Sequence, residues 1–203
     1  MKRNVTKIST GIVGLGRVGM VLATRLLESG VQVKTVWDIS RERMTRFRKD
    51  THKKVKCSAK ELERCDLVFI CVPDSLIVSV VKDLLNSNCV SEHSILVHTG
   101  GMHGPELLDS LRGRIAGCGA MHPYMSFPAD PGHAMSFKDV GFGISADPEL
   151  LETLEEIVHG LGGIPVEIPP EKRTLYHLAA VVSSNFSVFL EIIADIVLQK
   201  TGL

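Results

Sequence analysis

Short apolar runs and amphipathic stretches alternate along the first 120 residues, and the alternation predicts strands and helices in turn. Ile8–Val13 is an apolar run of strand length. Arg17–Glu28 follows with helical spacing and stops at Gly30. Val31–Trp37 reads as a second strand, and Arg41–Lys49 as a helix with Ser40 at its N-cap. Ser58 is placed to cap a short helical turn before Asp66. Leu67–Val72 is continuously apolar, and Asp74 is placed to cap a helix through Leu85. Ser94–His98, Pro105–Leu111 and Arg114–Ala120 read as strand, helix and strand. Apolar runs without alternation fit strands buried on both faces. The order predicts an α/β fold: a doubly wound, mostly parallel sheet with helices on both sides.

After Ala120 the texture changes. Residues 121–139 carry prolines and histidines and read as a long ordered loop, a length usually tied to function. Val140–Ser145, Glu149–His159 and Ile164–Ile168 add a strand, a helix and a strand. Pro169 and Pro170 mark a boundary, so residues 1–169 are expected to form one domain. Residues 170–203 would then begin a helical C-terminal domain, apparently truncated, with one long helix from about Glu171 to Gln199. From Leu175 to Leu198 that helix is apolar nearly all round and calls for burial against a partner subunit. His177, Ser184 and Glu191 recur every seven residues, with Asp195 close by, and form a narrow polar stripe. The stripe is either a wet face or one wall of a substrate cleft.

Composition narrows the function. The 203 residues are 44% hydrophobic and 23% charged, ordinary values for a globular protein. Lys+Arg and Asp+Glu number 23 each, which leaves no basic footprint for nucleic acid and no polybasic membrane anchor. The basic, then apolar N-terminus mimics a signal peptide, but Arg17 and Arg25 interrupt it. No uninterrupted apolar run reaches the roughly 18 residues of a membrane span. Five scattered cysteines form no C-x-x-C pair and fit a reducing cytoplasm.

The chemistry concentrates at strand ends. Gly14-Leu15-Gly16-Arg17-Val18-Gly19 lies between a predicted strand and a predicted helix. Gly14 permits the tight turn, Gly16 close approach of a pyrophosphate, and Gly19 packing of helix on strand. The helix N-terminus favours the anionic diphosphate. Asp38 ends the second strand, where an acid accepts hydrogen bonds from an adenosine ribose. Its charge favours NAD over NADP, although Ser40, Arg41 and Arg43 lie close enough to receive a 2′-phosphate. Val72-Pro73-Asp74 should line the cofactor's ribose-phosphate portion, and His98-Thr99-Gly100 should lie near the nicotinamide. His98 and His122 both stand at the carboxyl edge of the sheet, where ligands bind in such folds.

GIVGLGRVG, CDLVFICVPDS and HTGG together resemble the NAD(P)-binding domain of the pyrroline-5-carboxylate reductase and 6-phosphogluconate dehydrogenase superfamily. The chain is more closely similar to a branch of Rossmann-like proteins with a C-terminal domain of unknown function. Shared with that branch are His98-Thr99-Gly100, His122-Pro123 followed by Phe127, and Tyr176-His177 with Ala179 and Ala180 leading to Ser184-Asn185. The resemblance implies a Rossmann fold, a homodimer formed through the C-terminal helix, and an NAD(P)-dependent oxidoreductase. Hydroxyacid dehydrogenases of the superfamily carry a catalytic lysine on the first helix after the sheet; here Lys172 precedes that helix, while His177 and Asn185 lie on it. Hydride would pass between nicotinamide and a small carbonyl, imine or hydroxy substrate. His177 or His122 would carry the proton, with Asn185 and Thr99 orienting the substrate. Two other readings stand beside it: a non-catalytic NAD(P)-sensing module, and a metal held by His98, His122 and His177.

Overall fold

The computed structural model describes residues 5–52, 54–128 and 135–202. Eight strands form one sheet: β1 (Thr10–Val13), β2 (Val33–Trp37), β3 (Lys56–Cys57), β4 (Leu67–Ile70), β5 (Ile95–His98), β6 (Gly117–Pro123), β7 (Gly141–Ala146) and β8 (Ile164–Glu167). Their spatial order is β3-β2-β1-β4-β5-β6-β7-β8. The first six run parallel, β7 is antiparallel to β6, and β8 is parallel to β7. The order reverses between β1 and β4, so the crevice at that switch point opens beside the glycine loop.

The pleat distributes each apolar strand between two cores. Ile12, Leu67, Phe69 and Val97 face the helices α1 (Arg17–Glu28), α2 (Arg41–Thr51) and α4 (Pro148–Gly160). Val13, Val68, Ile70 and Leu96 face α3 (Ile77–Asn86) and the 3₁₀ segment Pro105–Arg114. The continuous apolar runs of β1 and β4 are thereby explained, because every one of their residues is buried on one side or the other.

Several boundaries move from their sequence-predicted places. Lys56–Cys57 adds a two-residue strand that propensity does not mark. Asp74 does not cap the following helix: a 3₁₀ turn, Asp74–Leu76, comes first, and α3 starts at Ile77. Ser58 sits at the start of a 3₁₀ segment without making a side-chain cap bond, whereas the Ser40 hydroxyl accepts from Arg43 N as expected. The 121–139 stretch is not all loop. β6 extends through Met121, His122 and Pro123, held by antiparallel pairing with β7, and Phe137 is fully buried against Phe142. Residues 129–134 of that stretch lie outside the described residues.

The long C-terminal helix is interrupted. A 3₁₀ turn leads into α5 (Arg173–Val181), then a π-helical turn over Val182–Phe186, then α6 (Ser187–Gln199). Ser184 bonds back to Ala180 O, and Ser187 to Ser183 O; such back-bonding loosens the helical ladder where π-turns occur. α5 lies on the sheet edge, while α6 has no buried residue, and Phe189 and Leu190 are 60% and 65% exposed. Glu191 and Asp195 therefore line no cleft among the described residues. By length and composition, Pro170–Gln199 is apolar enough to cross a membrane, with a mean hydropathy of 1.8 over its most apolar window.

Candidate active site

The glycine loop has the shape its three glycines require. Gly14 adopts φ +90°, and a Cβ there would sit 2.5 Å from the Cys71 carbonyl oxygen. A Cβ on Gly19 would lie 1.9 Å from Gly14 O, so only glycine lets α1 pack against the loop. A Cβ on Gly16 would meet nothing within 4 Å. Gly16 thus borders open space at the N-terminus of α1, and no side chain caps that helix. Among the described residues, no acceptor takes the N–H groups of Gly16, Arg17 or Val18. Unpaired N–H groups at a helix start, facing space that only glycine leaves open, fit an anionic diphosphate.

Asp38 is placed differently from the simplest expectation. It is only 4% exposed, with Oδ2 accepting from Leu15 N at 2.6 Å and Oδ1 from Ser40 N at 2.7 Å. Its carboxylate fastens the glycine loop to the end of β2. Arg43 Nη1 stands 3.5 Å from Oδ2 and offsets the negative charge. Arg41 and Arg43 lie exposed on the first turn of α2. Arg17 reaches across to Phe127 O at 3.4 Å, and Leu15 is itself a core residue.

The ends of β4 and β5 meet where the cofactor's middle would lie. A Cβ on Gly100 would fall 2.8 Å from the Asp74 carboxylate, so Asp74 faces Gly100 with Val72 partly buried and Pro73 exposed beside it. Thr99 is mostly buried, its N–H on Ile70 O at 3.1 Å and its side chain on the Cys71 thiol. His98 is fully buried; its Nε2 faces Gly104 O at 3.0 Å, and its Nδ1 has no partner. Burial holds His98 below the usual imidazole pKa, and its ring supports the loop beneath the site.

His122 and His177 are brought together. Their rings meet edge to face, centroids 5.5 Å apart. Both approach Gly101: an added Cβ there would lie 2.2 Å from His177 Nδ1 and 2.9 Å from His122 Nε2. His122 Nδ1 is 3.1 Å from the Tyr176 hydroxyl, which also accepts from Gly143 N at 3.2 Å. Desolvation, then the neighbouring His177 and the Arg173 guanidinium, push the His122 pKa down to about 4. His122 is therefore a neutral imidazole near pH 7, not an imidazolium acid. His177 Nδ1 is buried without a partner, and its Nε2 makes no hydrogen bond among the described residues. Asn185 is exposed on the π-turn, and among the described residues its side chain hydrogen-bonds with Ser184 Oγ alone. Among the described residues no group of three or more His, Cys, Asp or Glu side chains is disposed to hold a metal ion.

Sequence reasoning missed Tyr176 and Arg173 as site groups. The signal was their spacing: 173, 176, 177 and 180 fall on one helical face, and that face meets the strand ends.

Glycine loop, switch point and strand-end cluster together define a Rossmann-type α/β protein. The chain belongs to the Rossmann-like domain family, whose model matches residues 2–123. Residues 140–203 match the domain of unknown function DUF2520. No curated protein matches the sequence. Solved structures share the fold. A candidate NADP oxidoreductase from Bacteroides fragilis superposes with a TM-score of 0.82 at 21% identity, covering 98% of this chain and 75% of that one. A Thermotoga maritima protein gives 0.66 at 27% identity, covering 96% and 70%. Plasmodium falciparum pyrroline carboxylate reductase, solved with NADP bound, gives 0.69 at 16% identity, covering 97% and 71%.

Proposed function

We propose that this chain is an NAD(P)-dependent oxidoreductase acting on a small carbonyl, imine or hydroxy substrate. The observation that carries the reading is the His122–His177 pair at Gly101, on the same sheet edge as the open cradle at Gly16. A nicotinamide held on this edge would supply or accept the hydride. The N–H groups of Gly16, Arg17 and Val18 bind the diphosphate. Arg43, with Ser40 and Arg41 at the same helix start, would receive the 2′-phosphate of NADP. Because Asp38 is turned inward and Arg43 offsets its charge, the electrostatic preference for NAD that Asp38 alone implies is weakened.

His177 Nε2 gives or takes the substrate's proton. His122 stays neutral and orients the exchange through its contact with Tyr176. The Tyr176 hydroxyl has one proton and two neighbouring acceptors, His122 Nδ1 and His122 O. When that proton points to His122 O, Nδ1 carries its own proton and Nε2 offers a lone pair at Gly101. The five cysteines are free thiols, which supports a reducing, cytoplasmic setting. Exposed apolar side chains on α5, α6 and the edge strand β8 support a homodimer through the C-terminal helix, with the helical domain starting after residue 169.

The test is turnover on a panel of aldehydes, imines and hydroxy acids with NADH and NADPH, followed by His177→Ala. Consumption by the wild type that is lost in the variant, with dinucleotide binding kept, supports the reading. Binding without consumption across the panel points to a sensing module instead.

A further inference from the structure

Arg173 is the largest fully buried side chain of the described residues, with an exposure of 0%. Burying a guanidinium is costly unless its charge is paired and every N–H is satisfied. Here no carboxylate lies within salt-bridge distance among the described residues. Neutral oxygens take the fork instead. Nε donates to Ser145 Oγ at 2.8 Å, Nη1 to Gly100 O and Gly101 O at 3.4 Å each, and Nη2 to Gly143 O at 2.8 Å and Ala120 O at 3.5 Å. All five donors are used. Arg173 also occupies the first turn of α5, where the helix dipole disfavours a cation. An apolar side chain would anchor the helix at lower cost, so the arginine is doing something an apolar group does not.

The acceptors show what that is. Gly101 is the surface against which His177 and His122 pack; Gly143 donates its N–H to Tyr176; Ala120 lies two residues before His122 on β6. Tyr176 and His177 follow Arg173 by three and four residues, on the same face of α5. One side chain therefore ties the ends of β5, β6 and β7 to the helix that delivers both rings.

We propose that Arg173 is the positioning residue of the site, setting the depth of α5 so that His177 meets His122 over Gly101. The proposal rests on the oxidoreductase reading for its kinetic consequence, but its structural consequence stands apart. The groups that face His122 are Arg173, Tyr176 and His177 from α5 and His98 from β5. Removing the Arg173 charge lets His122 take a proton at higher pH, whereas a lysine keeps the charge but lacks the planar fork.

The experiment compares wild type, Arg173→Lys and Arg173→Met by histidine-ring NMR across pH, by dinucleotide affinity and by kinetics. Expected are loss of the His122–His177 ring contact in both variants and an upward move of the His122 titration in both, larger in Arg173→Met, where the neighbouring charge is removed as well. Dinucleotide affinity should stay within about twofold, and kcat should fall about 100-fold, the scale of an ångström misplacement. Unchanged ring contacts and titration in Arg173→Met would overturn the proposal; should that variant fail to fold, an unchanged ring contact in Arg173→Lys would do the same. A wild type that binds no dinucleotide sinks the oxidoreductase reading, while the NMR result still decides the role of Arg173.

Discussion

His177 Nδ1 lies so close to Gly101 that a single methyl group on that glycine would sit 2.2 Å from it. The glycine is not there for backbone freedom, since no positive φ is found at this position. It is there because two imidazoles occupy the volume a side chain would fill. Gly101→Ala should therefore leave the fold intact, because the atoms it strikes belong to ring side chains that can swing away. Its thermal midpoint should stay within a few degrees of wild type while kcat falls by about 100-fold. A folded variant with full turnover would remove the pair from the mechanism.

The glycine loop offers two substitutions of opposite character. Gly19→Ala drives a methyl into Gly14 O at 1.9 Å, a backbone atom with little room to retreat, and should cost about 1–3 kcal/mol or more of stability. Gly16→Ala meets nothing within 4 Å and should melt like wild type. Its methyl nevertheless enters the space in which the diphosphate is expected, so dinucleotide affinity should fall at least tenfold. Thermal melts with and without NADPH separate the two effects.

Acid should weaken the fold through His122. The folded chain holds this imidazole near pKa 4, below its ordinary 6.5, so between those values the unfolded chain binds a proton that the folded chain excludes. The stabilisation is present above pH 6.5 and is lost as pH falls through 4. Urea unfolding at pH 7.5, 5.5 and 4.5 should show wild type losing stability faster than His122→Gln, by on the order of 2 kcal/mol. His98 is shifted in the same direction and is present in both proteins, so it does not blur the difference. Parallel curves for the two would contradict the burial of His122.

The bare helix α6 makes its own prediction. A second copy covering Phe189, Leu190 and Ile193 gives a dimeric mass by light scattering without detergent, and Phe189→Lys with Ile193→Lys gives a soluble monomer. Solubility only in detergent would instead assign the helix to a bilayer, which its composition also permits.

The parallel half of the sheet, β3 apart, was legible in the sequence because each apolar run buried on both faces leaves the same mark, and Gly14, Gly16 and Gly19 leave another. The histidine pair was only half legible. His122 announced itself at a strand end and His177 by its place in a polar stripe, yet their meeting depends on how deeply α5 docks. That depth is set by Arg173, whose five acceptors are a hydroxyl and four backbone carbonyls spread over three separate stretches of sequence, at 100–101, 120 and 143–145. Carbonyls have no residue identity, so no pattern of side chains could reveal them. Asp38 was found in its expected place, but its inward bonds to Leu15 N and Ser40 N follow from the turn geometry, not from spacing. The long helix read as continuous because its serines are compatible with helix; the π-turn arises where several of them bond backward at once.

Titration calorimetry of NAD⁺, NADH, NADP⁺ and NADPH against wild type, Gly16→Ala and Arg43→Ala decides whether the glycine loop holds a dinucleotide. Saturable binding of at least one nucleotide pair to wild type is expected, at least tenfold weaker in Gly16→Ala, with Arg43→Ala weakening the 2′-phosphorylated forms alone. Absence of heat with all four nucleotides, or affinity untouched by a methyl at residue 16, would contradict it.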